Sequence, residues 1–410
     1  MNKRMNRNRL NIGTYHLRPY ARTEDHIREL SECGIDFVIS MDEDRKALNL
    51  FSKYGVGAIV TGTVPFWWGG DGDNAGTFCE THPLEVYYSS AKLFKDHPAI
   101  WGIDIGDEPS AVDFPHYGQV FQTVDRLFPN QFPYLNLYPN YASVAQNTQD
   151  ETTCQLGTKT YEEHIEKYLQ NVPSDYICYD FYLYSLNVAL AYKNLCVVAD
   201  ACRRSGRSMW IVLQVNSQKP EVWITENELR FQAYTAMAFG AENITWACYT
   251  AGWWHNQVLD EQGRKTIQYD KLKRVNRELH TLGEEYMKYI RNETFFVGFN
   301  DSPDMEGVEK ENLDSLDTGY FKDVRATDDK PLVIGLMTNR TDRSGKALMI
   351  AAADDPHDQN PHTRTVTFKV RPEDNIQAFD GNGKVTVRRT EDNVCEVDIA
   401  PCGGVLVTLR

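Results

Sequence analysis

Two adjacent carboxylates close an apolar run at Trp101-Gly102-Ile103-Asp104-Ile105-Gly106-Asp107-Glu108-Pro109. Pro109 has no amide hydrogen to give a β-ladder, so a strand must stop there. An acid pair at the C-terminal end of a parallel strand is where a βα-barrel carries a catalytic carboxylate. The same residues would also suit a helix start, because Asp107, Ser110 or Asp113 could cap free backbone amides. On this stretch alone both readings stand.

The ends of the other apolar runs carry a matching set of side chains. The first run delivers His16; the third opens into Trp67 and Trp68 beside Gly69 and Gly70. Later runs deliver Asn136, then Asp180 and Tyr182, then Gln214 with Glu221, Glu226 and Glu228 beyond it, and finally Trp246, Trp253 and Trp254. Carboxylates, amides and flat aromatic faces are what a sugar needs, since its hydroxyls pair with the polar groups and its C–H faces stack on the rings. Cleaving a glycosidic bond needs two carboxyl groups, one to protonate the leaving oxygen and one as nucleophile or base. For each tryptophan the plain alternative is packing between barrel and helices. Adjacent pairs fit that alternative poorly, because neighbouring side chains on an extended loop point apart. Other chemistries lack their residues: no GxSxG, P-loop or GxGxxG is present, and the histidines are scattered. No cofactor and no metal is expected.

These residues need a scaffold that brings strand ends together. Strands are predicted over 11–17, 36–40, 57–62, 100–105, 134–138, 176–183, 209–215 and 243–249, from short apolar runs bounded by turn residues. Helical patterns over 23–33, 42–54, 84–95, 117–128, 161–169, 189–204, 226–239 and 269–291 alternate with them, several stopped by glycine. Eight strand–helix units in about 290 residues fit a (β/α)₈ TIM barrel. An open doubly wound sheet would carry a glycine-rich turn after its first strand, and Thr14-Tyr15-His16-Leu17-Arg18-Pro19 stands there instead. Beyond residue 293 the runs become short and alternating, separated by turn clusters such as Asp380-Gly381-Asn382-Gly383. This predicts a C-terminal antiparallel β-sandwich. The expected division is a catalytic barrel over 1–292 and an accessory sandwich over 293–410. Sandwiches of this kind contact a neighbouring subunit, giving a homo-oligomer, or only brace the barrel, and the sequence leaves both open.

The 410 residues carry a net charge of −15. Such a field repels phosphate backbones and anionic lipid, so neither nucleic acid nor membrane is an expected partner; a neutral carbohydrate is. Nine cysteines without a CxxC pair read as small core residues and suit a reducing compartment. The basic start, with Lys3, Arg4, Arg7 and Arg9, has no apolar stretch behind it. The expectation is a cytoplasmic protein, or a secreted or periplasmic one whose signal has been removed. No run of 18 apolar residues occurs.

The run from Trp101 to Pro109 resembles the fourth-strand motif of clan A glycoside hydrolases, in which the glutamate is the general acid/base. Its Asp107-Glu108-Pro109 ending is similar to a group of bacterial glycoside hydrolases related to the β-galactosidase-like barrels. Further segments fit that group in order: Leu135 to Pro139, Asp180 to Tyr184, Trp210 to Gln214, Ala236 to Ala241, Ile244 to Tyr249, and Ile399 to Leu409. The resemblance implies a glycosidase with Glu108 as proton donor. Two departures matter. Asp107 stands where the clan has an asparagine, and Gln214 ends the seventh strand where the clan has its nucleophilic glutamate. An amide cannot be that nucleophile, so the resemblance leaves the second carboxylate unassigned. Asp180 is the preferred candidate, with Glu221, Glu228 and Asp107 as alternatives. Asn136, Gln214, Tyr182, Asp107 and His16 would contact hydroxyls, and Trp67, Trp68, Trp246, Trp253 and Trp254 would form stacking walls.

Overall fold

The structure, a computed structural model, describes residues 4–68, 74–145, 154–300, 302–390 and 392–409. Its first half alternates strands and helices. The strands are β1 (Asn11–Tyr15), β2 (Phe37–Asp42), β3 (Gly57–Thr61), β4 (Trp67–Trp68), β5 (Ile100–Asp107), β6 (Phe132–Asn136), β7 (Tyr176–Asp180), β8 (Ser208–Gln214) and β9 (Ala241–Ala247). The helices are α1 (Glu24–Glu32), α2 (Arg45–Tyr54), α3 (Phe78–Thr81), α4 (Leu84–Ala91), α5 (Phe114–Leu127), α6 (Tyr161–Asn171), α7 (Val188–Ser205), α8 (Glu226–Ala238) and α9 (Ile267–Tyr286). Polar caps start several of them: Thr23, Asp44, Thr160, Asn187 and Thr225 each accept a hydrogen bond from a first-turn amide.

All nine strands pair in parallel. The order runs β6-β5-β3-β2-β1-β9-β8-β7, with the short β4 added on the upper part of β5. The sheet curls until its two ends meet: Leu137 bridges Tyr179 in parallel, and the Leu137 amide donates to Cys178 O at 2.8 Å. This is a TIM-barrel-like curled sheet of eight principal strands. Phe37, Ile59, Phe132, Tyr134, Tyr176, Trp210 and Val212 fill its interior, so the strand ends form a face above a packed plug.

The second half contributes β10 (Tyr289–Val297), β11 (Asn312–Leu313), β12 (Lys322–Ala326), β13 (Leu332–Asn339), β14 (Lys346–Ala352), β15 (Arg364–Lys369), β16 (Ile376–Asp380), β17 (Gly383–Val385), β18 (Arg388–Arg389), β19 (Val394–Ile399) and β20 (Gly404–Leu409). They form a seven-stranded mixed sheet, β11-β10-β13-β14-β20-β16-β17, and a four-stranded antiparallel sheet, β12-β15-β19-β18. The mixed character comes from β10 and β11, which pair in parallel. Ile334, Ile350 and Val407 of the larger sheet share an apolar cluster with Val324, Val366, Phe368 and Val397 of the smaller. The other face of the larger sheet lies on the helix layer, and Val333, Met349 and Leu406 belong to the same core as the barrel.

Several element boundaries differ from the sequence expectation by a few residues, the largest shift falling between the two halves. The helix predicted over 269–291 ends at Tyr286, and β10 begins at Tyr289, four residues before residue 293, where the second region was expected to begin. Arg291 reads as the polar face of a helix, yet it is buried in β10. Its guanidinium donates to Ala199 O and pairs with Asp200. No helix among the described residues is long and apolar enough to cross a membrane.

Candidate active site

Strand β5 brings its carboxylates to the face through an irregularity. Residues three apart on a regular strand point to opposite sides. The register with β6 shifts between Asp104 and Gly106, and this bulge lets both Asp104 and Asp107 turn to the interior. Glu108 follows at φ 46°, a left-handed conformation that costs a non-glycine residue about 1 kcal/mol or more. His16 (φ 61°) and Trp254 (φ 62°) share that strain on the same face. Gly106 makes room for the aromatic loop. A Cβ there would lie 2.6 Å from Trp67 O and would collide with the Tyr117 hydroxyl. Without it β4 can dock, and Trp68 Nε1 then donates to Glu108 Oε2 at 3.3 Å.

At the centre sits Asn136. Its Nδ2 donates to Asp107 Oδ1 at 3.1 Å and to Asp180 Oδ1 at 2.8 Å. Its Oδ1 accepts from Cys178 Sγ at 3.3 Å, which fixes which way the amide faces. Tyr141 Oη donates to the second oxygen of Asp180 at 3.3 Å. Asp180 is 3% exposed, whereas Asp107 and Glu108 are half-buried and reachable from the face. Burial, then the charge of Asp107, pushes the Asp180 carboxyl up to about 7, against its hydrogen bonds from Asn136 and Tyr141. Burial pushes Asp107 up to about 6, opposed by Asn136 and the Glu108 backbone. Deeper in, burial and then the charge of Asp107 hold the Asp104 carboxyl well above the usual range.

The other expected residues separate into those at the face and those away from it. Trp68 is 51% exposed. Trp253 packs edge-on against Tyr15, His16 and, more obliquely, Tyr182, while Trp254 meets Tyr182 with centroids 4.9 Å apart. Burial lowers the His16 imidazole to about 4, helped by Arg18, so the ring is neutral at physiological pH. Trp67 is half-buried and stacks on Phe78 at 5.5 Å, so it anchors its loop; Gly69 and Gly70 lie outside the described residues. Trp246 corrects the expectation. It is fully buried and donates to Asn276 of α9 at 2.9 Å, because strand alternation points it into the helix layer. Gln214 is also no hydroxyl ligand. It is 1% exposed, with Oε1 accepting from the Tyr184 amide and Nε2 donating to Asn216 O. Of the alternative acids, Glu228 closes a capping box with Thr225 at the start of α8.

Sequence reasoning missed Tyr141 and the part played by Cys178. Tyr141 follows the predicted strand within Tyr138-Pro139-Asn140-Tyr141, and that polar run after a strand end is the signal that could have found it. Among the described residues, a 580 Å³ groove lies in the outer layer, bordered by Glu162, Lys193, Asp200 and Lys310. The carboxylates stand on the open strand-end face. Among the described residues no group of three or more His, Cys, Asp or Glu is arranged to hold a metal ion. Two carboxyl groups about a common donor, one of them easily protonated, can exchange a proton with a bound substrate.

No protein-family model and no curated protein sequence matches the chain. Solved structures align with it. The cycloisomaltooligosaccharide glucanotransferase of Paenibacillus sp., in complex with cycloisomaltoheptaose, aligns with a TM-score of 0.55 at 8% identity over 98% of this chain and 85% of that one. A glycoside hydrolase family 5 mannosidase from Rhizomucor miehei gives 0.43 at 13% identity, over 67% and 94% of the two chains. A family 30 subfamily 8 xylanase from Clostridium acetobutylicum gives 0.37 at 10%, over 98% and 96%. At 8% identity the likeness to the glucanotransferase is one of fold alone.

Proposed function

We propose that the protein is a glycoside hydrolase that cleaves O-glycosidic bonds of a neutral oligo- or polysaccharide at the face where Asp107, Glu108 and Asp180 converge. In this reading the curled sheet is a closed (β/α)₈ barrel and the two C-terminal sheets are the halves of an accessory sandwich. The observation that carries it is Asn136, whose one amide group holds Asp107 and Asp180 at neighbouring strand ends. Burying two carboxyls side by side destabilises a fold, and such an arrangement is characteristic of catalytic sites. Trp68, Tyr182, Trp253 and Trp254 supply rings at the rim for sugar faces. The fold shared with the glucanotransferase adds support, since that protein is complexed with a cyclic sugar oligomer.

The test is to incubate wild type and Asp180→Asn with a panel of neutral oligosaccharides and measure new reducing ends. Wild type is expected to cleave at least one class, and the variant to lose roughly 10³-fold or more. Binding of sugars by wild type with no cleavage of any of them would instead mark a non-catalytic carbohydrate-binding barrel.

A further inference from the structure

We propose that Tyr15, Tyr134 and Cys178 form a one-way hydrogen-bond chain through the interior of the curled sheet, and that Cys178, at its end, is a positioning residue that holds the Asn136 amide toward Asp107 and Asp180. Its part in catalysis rests on the glycosidase reading above; the chain itself can be tested without a substrate.

Strands β1, β6 and β7 send Tyr15, Tyr134 and Cys178 into one buried cluster beneath the strand-end face. Tyr15 Oη lies 2.9 Å from Tyr134 Oη, and Tyr134 Oη lies 3.4 Å from Cys178 Sγ. Cys178 Sγ lies 3.3 Å from Asn136 Oδ1. All four side chains are buried. A cysteine kept for packing alone needs no polar neighbour, yet this sulfur meets one on each side.

The hydrogens available fix the direction of the chain. The Asn136 oxygen can only accept, so the single thiol hydrogen goes to it. Cys178 then has none left for Tyr134, and the Tyr134 hydroxyl donates to the sulfur. That uses the one hydrogen of Tyr134, so Tyr15 donates to Tyr134. Burial pushes all three groups above their ordinary range, so each keeps its hydrogen through neutral pH. Both hydrogens of the Asn136 amide are thereby turned to Asp107 and Asp180.

Without the thiol the amide is free to turn and bring its oxygen to the carboxyls. An oxygen there repels an ionised carboxylate and accepts from a protonated one. The hydrogen bonds from Asn136 now oppose protonation of both acids, so their loss favours it. The other titratable groups facing the pair are Asp104, Glu108 and the hydroxyls of Tyr117, Tyr141, Tyr161 and Tyr182. Asn136 touches both acids, so a change at its oxygen reaches them together.

The experiment titrates the aspartate carboxyls of the protein alone by carboxyl-carbon NMR, with Asp107→Asn and Asp180→Asn to assign them. It also measures kcat and KM on a sugar that wild type cleaves. Cys178→Ala removes the donor. It is expected to move both titrations up by about one pH unit, and to lower kcat roughly tenfold with KM changed less. Cys178→Ser keeps a donor and is expected to restore both. Tyr134→Phe keeps the thiol but removes the hydrogen it receives, and is expected to give a smaller move in the same direction. A serine less well tolerated than alanine would mark a packing role and overturn the assignment. So would Cys178→Ala titrations that match wild type, whatever happens to the rate. The expected titrations in a protein that cleaves no sugar would uphold the chain and overturn the glycosidase reading.

Discussion

Asp107 and Asp180 show how environment, not residue type, makes a carboxyl group useful. Both are aspartates, yet burial raises them to about 6 and about 7. The groups facing Asp180 are Asp107, Asn136 and Tyr141, with Tyr161, Tyr182, Cys178 and Glu108 coupled to it or to Tyr141. A reaction that needs the pair to hold one proton loses rate as the pair gains a second proton at low pH and as it loses its last at high pH. The plot of kcat/KM against pH is therefore expected to be a narrow bell with its maximum between those two steps, and Asp107→Asn should remove activity at every pH. The two limbs belong to the pair jointly. Stability follows with its own sign. Because the folded state holds these protons more tightly than the unfolded chain, the pair's contribution is full below about pH 4 and is lost as pH rises towards 7. Asp180→Asn should accordingly be more stable than wild type at pH 8, by about 1–3 kcal/mol, seen as a higher unfolding temperature, and the difference should shrink at pH 4. Sequence already exposed Asp107, Glu108, Asn136 and Asp180, since acids and amides at strand ends are rare in a core. Tyr141 was legible only as part of a polar run beyond Pro139, and nothing in the sequence shows that Gln214 is occupied by backbone groups.

Element geometry decides what those residues can reach. The bulge in β5 is invisible in Ile103-Asp104-Ile105-Gly106, where strict alternation would have sent Asp104 and Asp107 to opposite sides. Gly106 is the more legible device in hindsight, being a glycine inside a strand pattern where another backbone approaches. Gly106→Val should push β4 from β5 and carry Trp68 away from Glu108. The expected result is a loss of about 1–3 kcal/mol by thermal unfolding, together with a raised KM. Trp246 shows the opposite limit. Its strand was predicted, but which face it takes depends on register, and register sends it to Asn276.

At the scale of the molecule, eight strand–helix units followed by short strands were readable from periodicity alone, and the starts of the strands agree within two residues. The handover between halves was not, because Tyr289 to Val297 carries both periodicities. The mixed sheet lies directly on α8. A Cβ on Gly335 of β13 would collide with Ala238 O at that helix's end, and Gly335→Val is expected to destabilise the fold by about 2 kcal/mol or more, seen as a lower unfolding temperature. α8 follows the strand that ends at Gln214 and holds its amide through Gln232, so the mixed sheet lies on the helix behind that strand.

The most direct measurement is proton NMR of the anomeric signals while wild type acts on a neutral oligosaccharide. The account predicts that glycosidic signals decline and that new reducing-end signals appear in their place. Oligosaccharides that bind, yet keep their glycosidic signals intact throughout, would contradict it.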